Sequence, residues 1–402
     1  MIKQHIKRFA LLFVIVFLGS LVYVGLLTAS LSIAPESLRR NTEQGLRIVE
    51  SEGRYPSYYF EEDTSQLREN TRIDNYTDDL ILRRAGMLSK EPLRDAMYML
   101  DYERYWHGYV VLLRPLLSVM DYYTLRRLLH ALFWILAALG MAQLSRRVHP
   151  AMGAVFLLAL AVLHSHILPM SPQYFVCFGI ALSAMNLLLC WERRRPLSAW
   201  RLLLFFALTG SVTSFLDLLT VPLITFALPM LALLLYDRGR ERKPLAALIQ
   251  CAIAWLIGFC FNWILKWFWS TVILGEDEFG WAITQSGIRI GKSQAFPQTQ
   301  LAALGQNLSA LLSVLGMLYL LACAALLMLA LLRRQHANLP LVGALALLAL
   351  APYGWYFALA NHSQVHTWFT YRAQLSSLLI CFAIPLALAD FQLERLLPKR
   401  RK

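Results

Sequence analysis

Apolar residues along this chain gather into runs about as long as a bilayer is thick, and polar residues into breaks between them. Crossing a hydrocarbon core takes roughly 20 apolar residues in helical form. Runs of about that length lie at 9–30, 127–145, 151–169, 173–191, 200–216, 218–236, 245–266, 309–332, 340–360 and 373–390. The pattern predicts an all-α membrane protein of about ten transmembrane helices in one polytopic domain, residues 1–402. Asp217 and Pro222 interrupt the stretch 200–236, which also reads as a re-entrant pair. Basic residues precede the first run, as in a signal peptide. Its apolar stretch exceeds the ~7–15 residues of a signal core, so a retained helix is expected.

Two segments fall outside the pattern. Residues 34–107, after the first run, hold fifteen of the twenty-five carboxylates, from Glu36 through Glu103. Within them, 42–52 and 78–88 have the apolar spacing of short helices lying on a membrane surface. Residues 273–308 form a second loop, opening on Glu276, Asp277 and Glu278.

Composition and charge then narrow the class. With 58% hydrophobic and 16% charged residues, a water-soluble fold would have nowhere to bury its apolar surface. The net charge of +13 could suit nucleic acid, but the cations sit in short clusters between apolar runs, such as Arg146–Arg147, Arg193–Arg195 and Arg238–Lys243. Threading the runs alternately puts every such cluster on one side, the signature of cytoplasmic loops, so no nucleic-acid partner is expected. Both termini are then cytoplasmic and both loops extracytoplasmic. The six cysteines lie inside apolar runs with no paired spacing, so no disulfide framework or zinc site is expected.

Ionisable groups are costly in hydrocarbon, and here they are nearly confined to the outer ends of the runs. Asp74, Asp78 and Asp79 stand close together, as a proton acceptor or a divalent-cation site requires, although a solvated turn with a helix cap would look the same. His107 lies in the aromatic stretch Tyr105–Tyr109, which reads as an interfacial belt or a platform for a sugar or polyprenyl chain. Lys266, among Trp263, Trp267 and Trp269, is a snorkelling anchor or a cation for a lipid phosphate. The last outward loop carries His362, His366, Tyr371 and Arg372, side chains suited to binding phosphate. Asp217 and the pair His164 and His166 complete this polar layer, and the spacing of the two histidines argues against a metal there.

This arrangement resembles the GT-C class of membrane glycosyltransferases. The likeness is carried by Asp74-Asn75-Tyr76-Thr77-Asp78-Asp79 after the first span and by His362, His366 and Arg372 in the last outward loop. Tyr105-Trp106-His107-Gly108, Phe215-Leu216-Asp217 and Phe369-Thr370-Tyr371-Arg372 are similar to motifs of uncharacterised bacterial membrane proteins, which lends no reaction. The resemblance implies an enzyme of a bacterial plasma membrane with its active site outside, moving a sugar with inversion from a polyprenyl-phosphate donor to a glycan or lipid acceptor. One of Asp74, Asp78 and Asp79 would be the general base. Arg372, His362, His366 and Lys266 would stabilise the departing phosphate, with His107 and Tyr371 as further substrate contacts. Asp217 would orient sugar hydroxyls or share Mg²⁺ or Mn²⁺ with a second carboxylate, no cofactor being otherwise indicated. A lipid-linked glycan polymerase or ligase, a lipid or small-molecule transporter and an assembly scaffold are the alternatives.

Overall fold

The computed structural model describes residues 2–58, 66–236, 242–290, 299–332 and 338–388. Helix α1 (Ile2–Leu31) leads into a helical loop region of α2 (Glu36–Glu52), α3 (Gln66–Asn70), α4 (Asn75–Gly86) and α5 (Pro92–Tyr98). The bundle continues with α6 (Tyr109–Val119), α7 (Tyr122–Arg147), α8 (Pro150–Val162), α9 (Pro172–Arg194), α10 (Ala199–Leu216) and α11 (Ile224–Tyr236). Helices α12 (Pro244–Leu256) and α13 (Asn262–Leu274) are joined without a break by a π turn, Ile257–Phe261. Two short helices, α14 (Glu278–Ile290) and α15 (Gln300–Ser309), precede α16 (Val314–Leu332) and α17 (Leu339–Ala358). The small helices α18 (Ala360–Val365) and α19 (Thr367–Thr370) then lead through a 3₁₀ turn into α20 (Leu375–Leu388).

Among the described residues, eight helical segments are long and apolar enough to cross a membrane. The chain is an all-α membrane protein. Two of the ten expected spans come out short. At about 1.5 Å per residue, the 13-residue helices α8 and α11 cover only about 20 Å. Helix α8 ends where His164 takes a left-handed conformation (φ +48°), and the chain continues as a 3₁₀ turn through Pro169. Helix α11 starts late because Asp217–Leu223 runs as an irregular turn with Leu219 at φ +67°. Every residue of α11 except Tyr236 is buried, as expected of a helix that is apolar all round. It is packed by α9, α10, α12, α17 and α20. By contrast α16 leaves Leu318, Leu321 and Leu332 exposed, a surface suited to lipid.

Helices cover most of both loop stretches read as helical, as α2 and α4, with bounds that differ from those expected, and they pack on each other and on α6. A buried guanidinium ties this region to the bundle. Arg114 donates to the carbonyls of Ser30 (2.9 Å), Ala85 (2.7 Å), Met87 (2.9 Å) and Ile33 (2.7 Å), closing the ends of α1 and α4. The two aromatic motifs meet in a second tie. Gly108 N–H donates to the Phe215 carbonyl at 2.8 Å, Tyr23 stacks on Phe215 at 4.0 Å, and Trp106 Nε1 donates to the Asn262 carbonyl. A Cβ on Gly108 would stand 2.5 Å from both the Phe215 carbonyl oxygen and its ring. Gly108→Ala is therefore expected to destabilise the protein by about 1–3 kcal/mol, read as a lowered unfolding temperature in detergent.

Candidate functional site

The basic clusters Arg146–Arg147, Arg193–Arg195, Arg201 and Arg242–Lys243 lie at one end of the bundle and the loop helices at the other. At the loop-bearing end the segment after α3 meets the turn before α20. Arg372 is buried and donates to the carbonyls of Asn70 (2.6 Å), Leu163 (3.0 Å) and Trp368 (2.6 Å). Tyr371 Oη donates to the same Leu163 and Asn70 carbonyls, and Tyr174 Oη to that of Arg72. The acidic loop and the turn before α20 thus share one interface.

A polar cavity of about 490 Å³ opens beside it, lined by Tyr55, Gln66, Asn70, Gln306, Gln364 and Trp368. Arg72 is sandwiched between the rings of Tyr55 and Trp368, at 4.8 and 4.6 Å, and is paired with Glu69 at 3.0 Å. Amides and aromatic rings are the side chains that recognise hydroxyl-rich molecules. The buried Gln364 Oε1 and Trp368 Nε1 have no hydrogen-bond partner among the described residues.

The three neighbouring acids have different environments. Asp74 caps α4, accepting from Thr77 N–H and Oγ1, both at 3.0 Å, and its burial raises its pKa. Asp79 is on the surface in an i,i+4 pair with Arg83 at 2.7 Å. Because exposed pairs contribute little, Asp79→Asn should change stability by less than about 0.5 kcal/mol in thermal unfolding. Asp78 is fully buried. Its Oδ1 accepts from Ser171 Oγ (2.9 Å) and Gln173 N–H (3.3 Å), while Oδ2 has no partner among the described residues. Burial pushes its pKa up to about 7, against the pull of Ser171 and Arg126. That value suits a general base working near neutral pH.

At Gln173, whose N–H bonds Asp78, begins an apolar groove of about 1080 Å³, walled by α6, α7, α9 and α10 through residues such as Leu113, Leu132, Ile180 and Leu208. Its loop-side lip is formed by Ile81, Pro172, Gln173 and Asp217, and its far end by Trp191, Arg194, Arg195 and Arg201. The segment from Asn70 to Asp78 therefore links the polar cavity, which Asn70 lines, to the groove lip, where Asp78 is bonded to Gln173.

The other candidates fall into separate groups. Asp217 Oδ2 holds the turn at Thr220 N–H (2.8 Å), and no second carboxylate is among its charge partners. Among the described residues no group of three or more His, Cys, Asp or Glu side chains could hold a metal ion. His362 contacts the same turn through the Leu219 carbonyl at 2.9 Å and lies 5.0 Å from the His366 ring. Burial holds both imidazoles below their usual pKa, His366 down to about 3, so both are neutral at pH 7. The Nδ1 atoms of both have no partner among the described residues. Arg289 on α14, which packs against α18, acts electrostatically on both rings and has no ion-pair partner among the described residues. Sequence reading missed Arg289, because between Ile288 and Ile290 it looks like any snorkelling interfacial cation.

His107 and Lys266 lie in a different corner. His107 bonds Tyr109 Oη (2.9 Å) and the Tyr102 carbonyl (2.8 Å), using both ring nitrogens. Lys266 Nζ donates to the Met97 carbonyl (2.7 Å) and Ser270 Oγ (2.8 Å) and is drawn toward Glu103 and Glu278. Both have the contacts of structural side chains. His164 and His166 sit near Arg372, and burial followed by that charge lowers His164 to about 4.

The fold thus defines a class, an all-α integral membrane protein with a polar cavity at its loop-bearing end and an apolar groove that runs from there toward its basic end. No protein-family model, curated protein or solved structure matches the chain.

Proposed function

We propose that the chain is a GT-C-like glycosyltransferase that moves a sugar with inversion from a polyprenyl-phosphate donor to an acceptor on the extracytoplasmic face, with Asp78 as general base. One observation carries the reading. A buried carboxylate with its pKa near neutrality is bonded to Gln173 at the lip of a groove suited to a long apolar chain, and its own segment begins at Asn70 in the wall of a cavity suited to a glycan. A donor needs both environments, because its tail is apolar and its sugar polar. Asp78 Oδ2 would take the proton of the acceptor hydroxyl as that oxygen bonds to the anomeric carbon. The bond from that carbon to the phosphate oxygen breaks, and polyprenyl phosphate leaves with the electron pair. Arg289, with a hydrogen bond from neutral His366, would stabilise the charge that develops there, while the single N–H of neutral His362 stays on the Leu219 carbonyl.

The direct test supplies membranes containing the protein with polyprenyl-phosphate hexoses and pentoses labelled in the sugar. Protein-dependent transfer, with equal release of polyprenyl phosphate, is expected for one of them. Arg289→Ala should lower kcat/KM about tenfold to a hundredfold, while Arg289→Lys retains most of it. A lipid transporter is the second reading, favoured by a groove running from the loop-side lip to the basic end. It requires the labelled lipid to cross the bilayer with its sugar still attached.

A further inference from the structure

We infer that a cavity at the basic end of α10 and α12 binds the phosphate of an anionic phospholipid whose acyl chain lies in the neighbouring end of the apolar groove. The inference does not depend on the transfer reaction. Pro196 breaks the helix after Arg195, and Ser198 caps α10 by accepting from Arg201 N–H. The turn between is fixed by two charged groups. Glu192 is buried and accepts from Leu197 N–H (3.1 Å) and from Arg242, whose guanidinium also donates to the Leu197 carbonyl at 2.8 Å. Arg195, Arg201 and Lys243 are then left as cations around a cavity of about 670 Å³ that also includes the first turn of α10 at Ser198 and Ala199. The amides of a helix's first turn have no partner within the helix and favour an anion. Among the described residues lining the cavity there is no carboxylate.

The apolar half of the ligand is read from a shared wall. Arg195, Leu197 and Arg201 line this cavity and also the basic end of the groove, next to Trp191, Leu204 and Leu208. A free phosphate would use the cations and leave the groove unused, whereas a phospholipid uses both. By the positive-inside rule this end faces the cytoplasm, where anionic lipids are attracted by clustered Lys and Arg.

The test titrates phosphatidylglycerol, phosphatidylcholine and inorganic phosphate separately into the purified full-length protein in neutral detergent. Native mass spectrometry and the unfolding temperature are the readouts. Phosphatidylglycerol is expected to give a retained one-to-one adduct and a higher unfolding temperature, and the other two neither. The double variant Arg195→Ala with Arg201→Ala should bind it at least about tenfold more weakly, and the Lys-for-Arg double variant should stay close to wild type. Both arginines are exposed, so the lipid-free unfolding temperature should not move. Leu208→Trp, which narrows the groove, should also weaken the lipid adduct. Equal binding of phosphatidylcholine, equal protection by inorganic phosphate, or undiminished phosphatidylglycerol binding by the alanine variant would each overturn the assignment.

Discussion

Asp78→Asn is expected to lower sugar transfer at least a hundredfold while leaving the protein folded. General-base catalysis contributes roughly 10²–10⁴-fold, and an amide cannot take the proton. The asparagine Oδ1 can still accept from Ser171 and Gln173, so the packing around α4 has no reason to change. Wild-type kcat/KM should rise with pH and level off above about 7, as Asp78 ionises. Stability should move the other way. The native pKa is raised above the unfolded value of about 3.9, so the native state holds the proton more tightly between the two. The contribution of this group to stability is therefore full below about pH 4, falls as the pH climbs to about 7, and is constant above. Relative to wild type, Asp78→Asn should gain stability across that window, by several kcal/mol at most, since a tenfold change in proton affinity corresponds to about 1.4 kcal/mol. Transfer assays and thermal unfolding of both proteins from pH 4 to pH 9 separate these effects. A variant with full activity would remove Asp78 from the chemistry.

Arg372→Ala is expected to destabilise the protein by about 4 kcal/mol or more, enough to cut the folded yield sharply. The guanidinium is buried and bonded to three carbonyls from three separate segments, at Asn70, Leu163 and Trp368. Hydrogen bonds from a charged donor contribute roughly 1.5–3 kcal/mol each, and Tyr371 Oη, with a single proton, cannot serve both the Leu163 and Asn70 carbonyls at full strength. Arg372→Lys should recover only part, because one ammonium cannot reproduce the planar fork. Tyr371→Phe should cost less, about 1–2 kcal/mol, since Arg372 still serves both carbonyls that Tyr371 contacts. The folded fraction after detergent extraction and the unfolding temperature of the purified variants give the comparison.

The apolar runs made the bundle legible because length and hydropathy alone decide whether a helix crosses a membrane. They misled at α8 and α11, where apolar composition continues through residues whose backbone leaves the helix. The left-handed His164 closes off the first, with Pro169 inside the 3₁₀ turn that follows, and the Asp217 turn delays the second. Short-range partners could also be read. The i,i+4 spacing of Asp79 and Arg83 and the capping pattern of Asp74 and Thr77 are local features. Long-range partners could not. Arg372 looks like a phosphate ligand in sequence, but its three N–H directions go to carbonyls, two of them from segments about 200 and 300 residues away. Nothing in the neighbourhood of Tyr55, Arg72 or Trp368 announces that the three would stack, since that depends on how the loop docks on the last turn. That polar groups converge at one end was readable, but not that Asp78 and Asp217 would each keep a buried oxygen with no hydrogen-bond partner among the described residues.

A polyprenyl-phosphate sugar with a diazirine in its tail, photolysed on the reconstituted protein and followed by peptide mass spectrometry, addresses the shared site of donor and base most directly. Adducts on groove residues of α9 and α10 such as Ile180 and Leu208, competed by the unmodified lipid, are the expected result. Adducts confined to the exposed outer face of α16, or spread over the bundle without competition, would mean that the donor does not enter the groove beside Asp78.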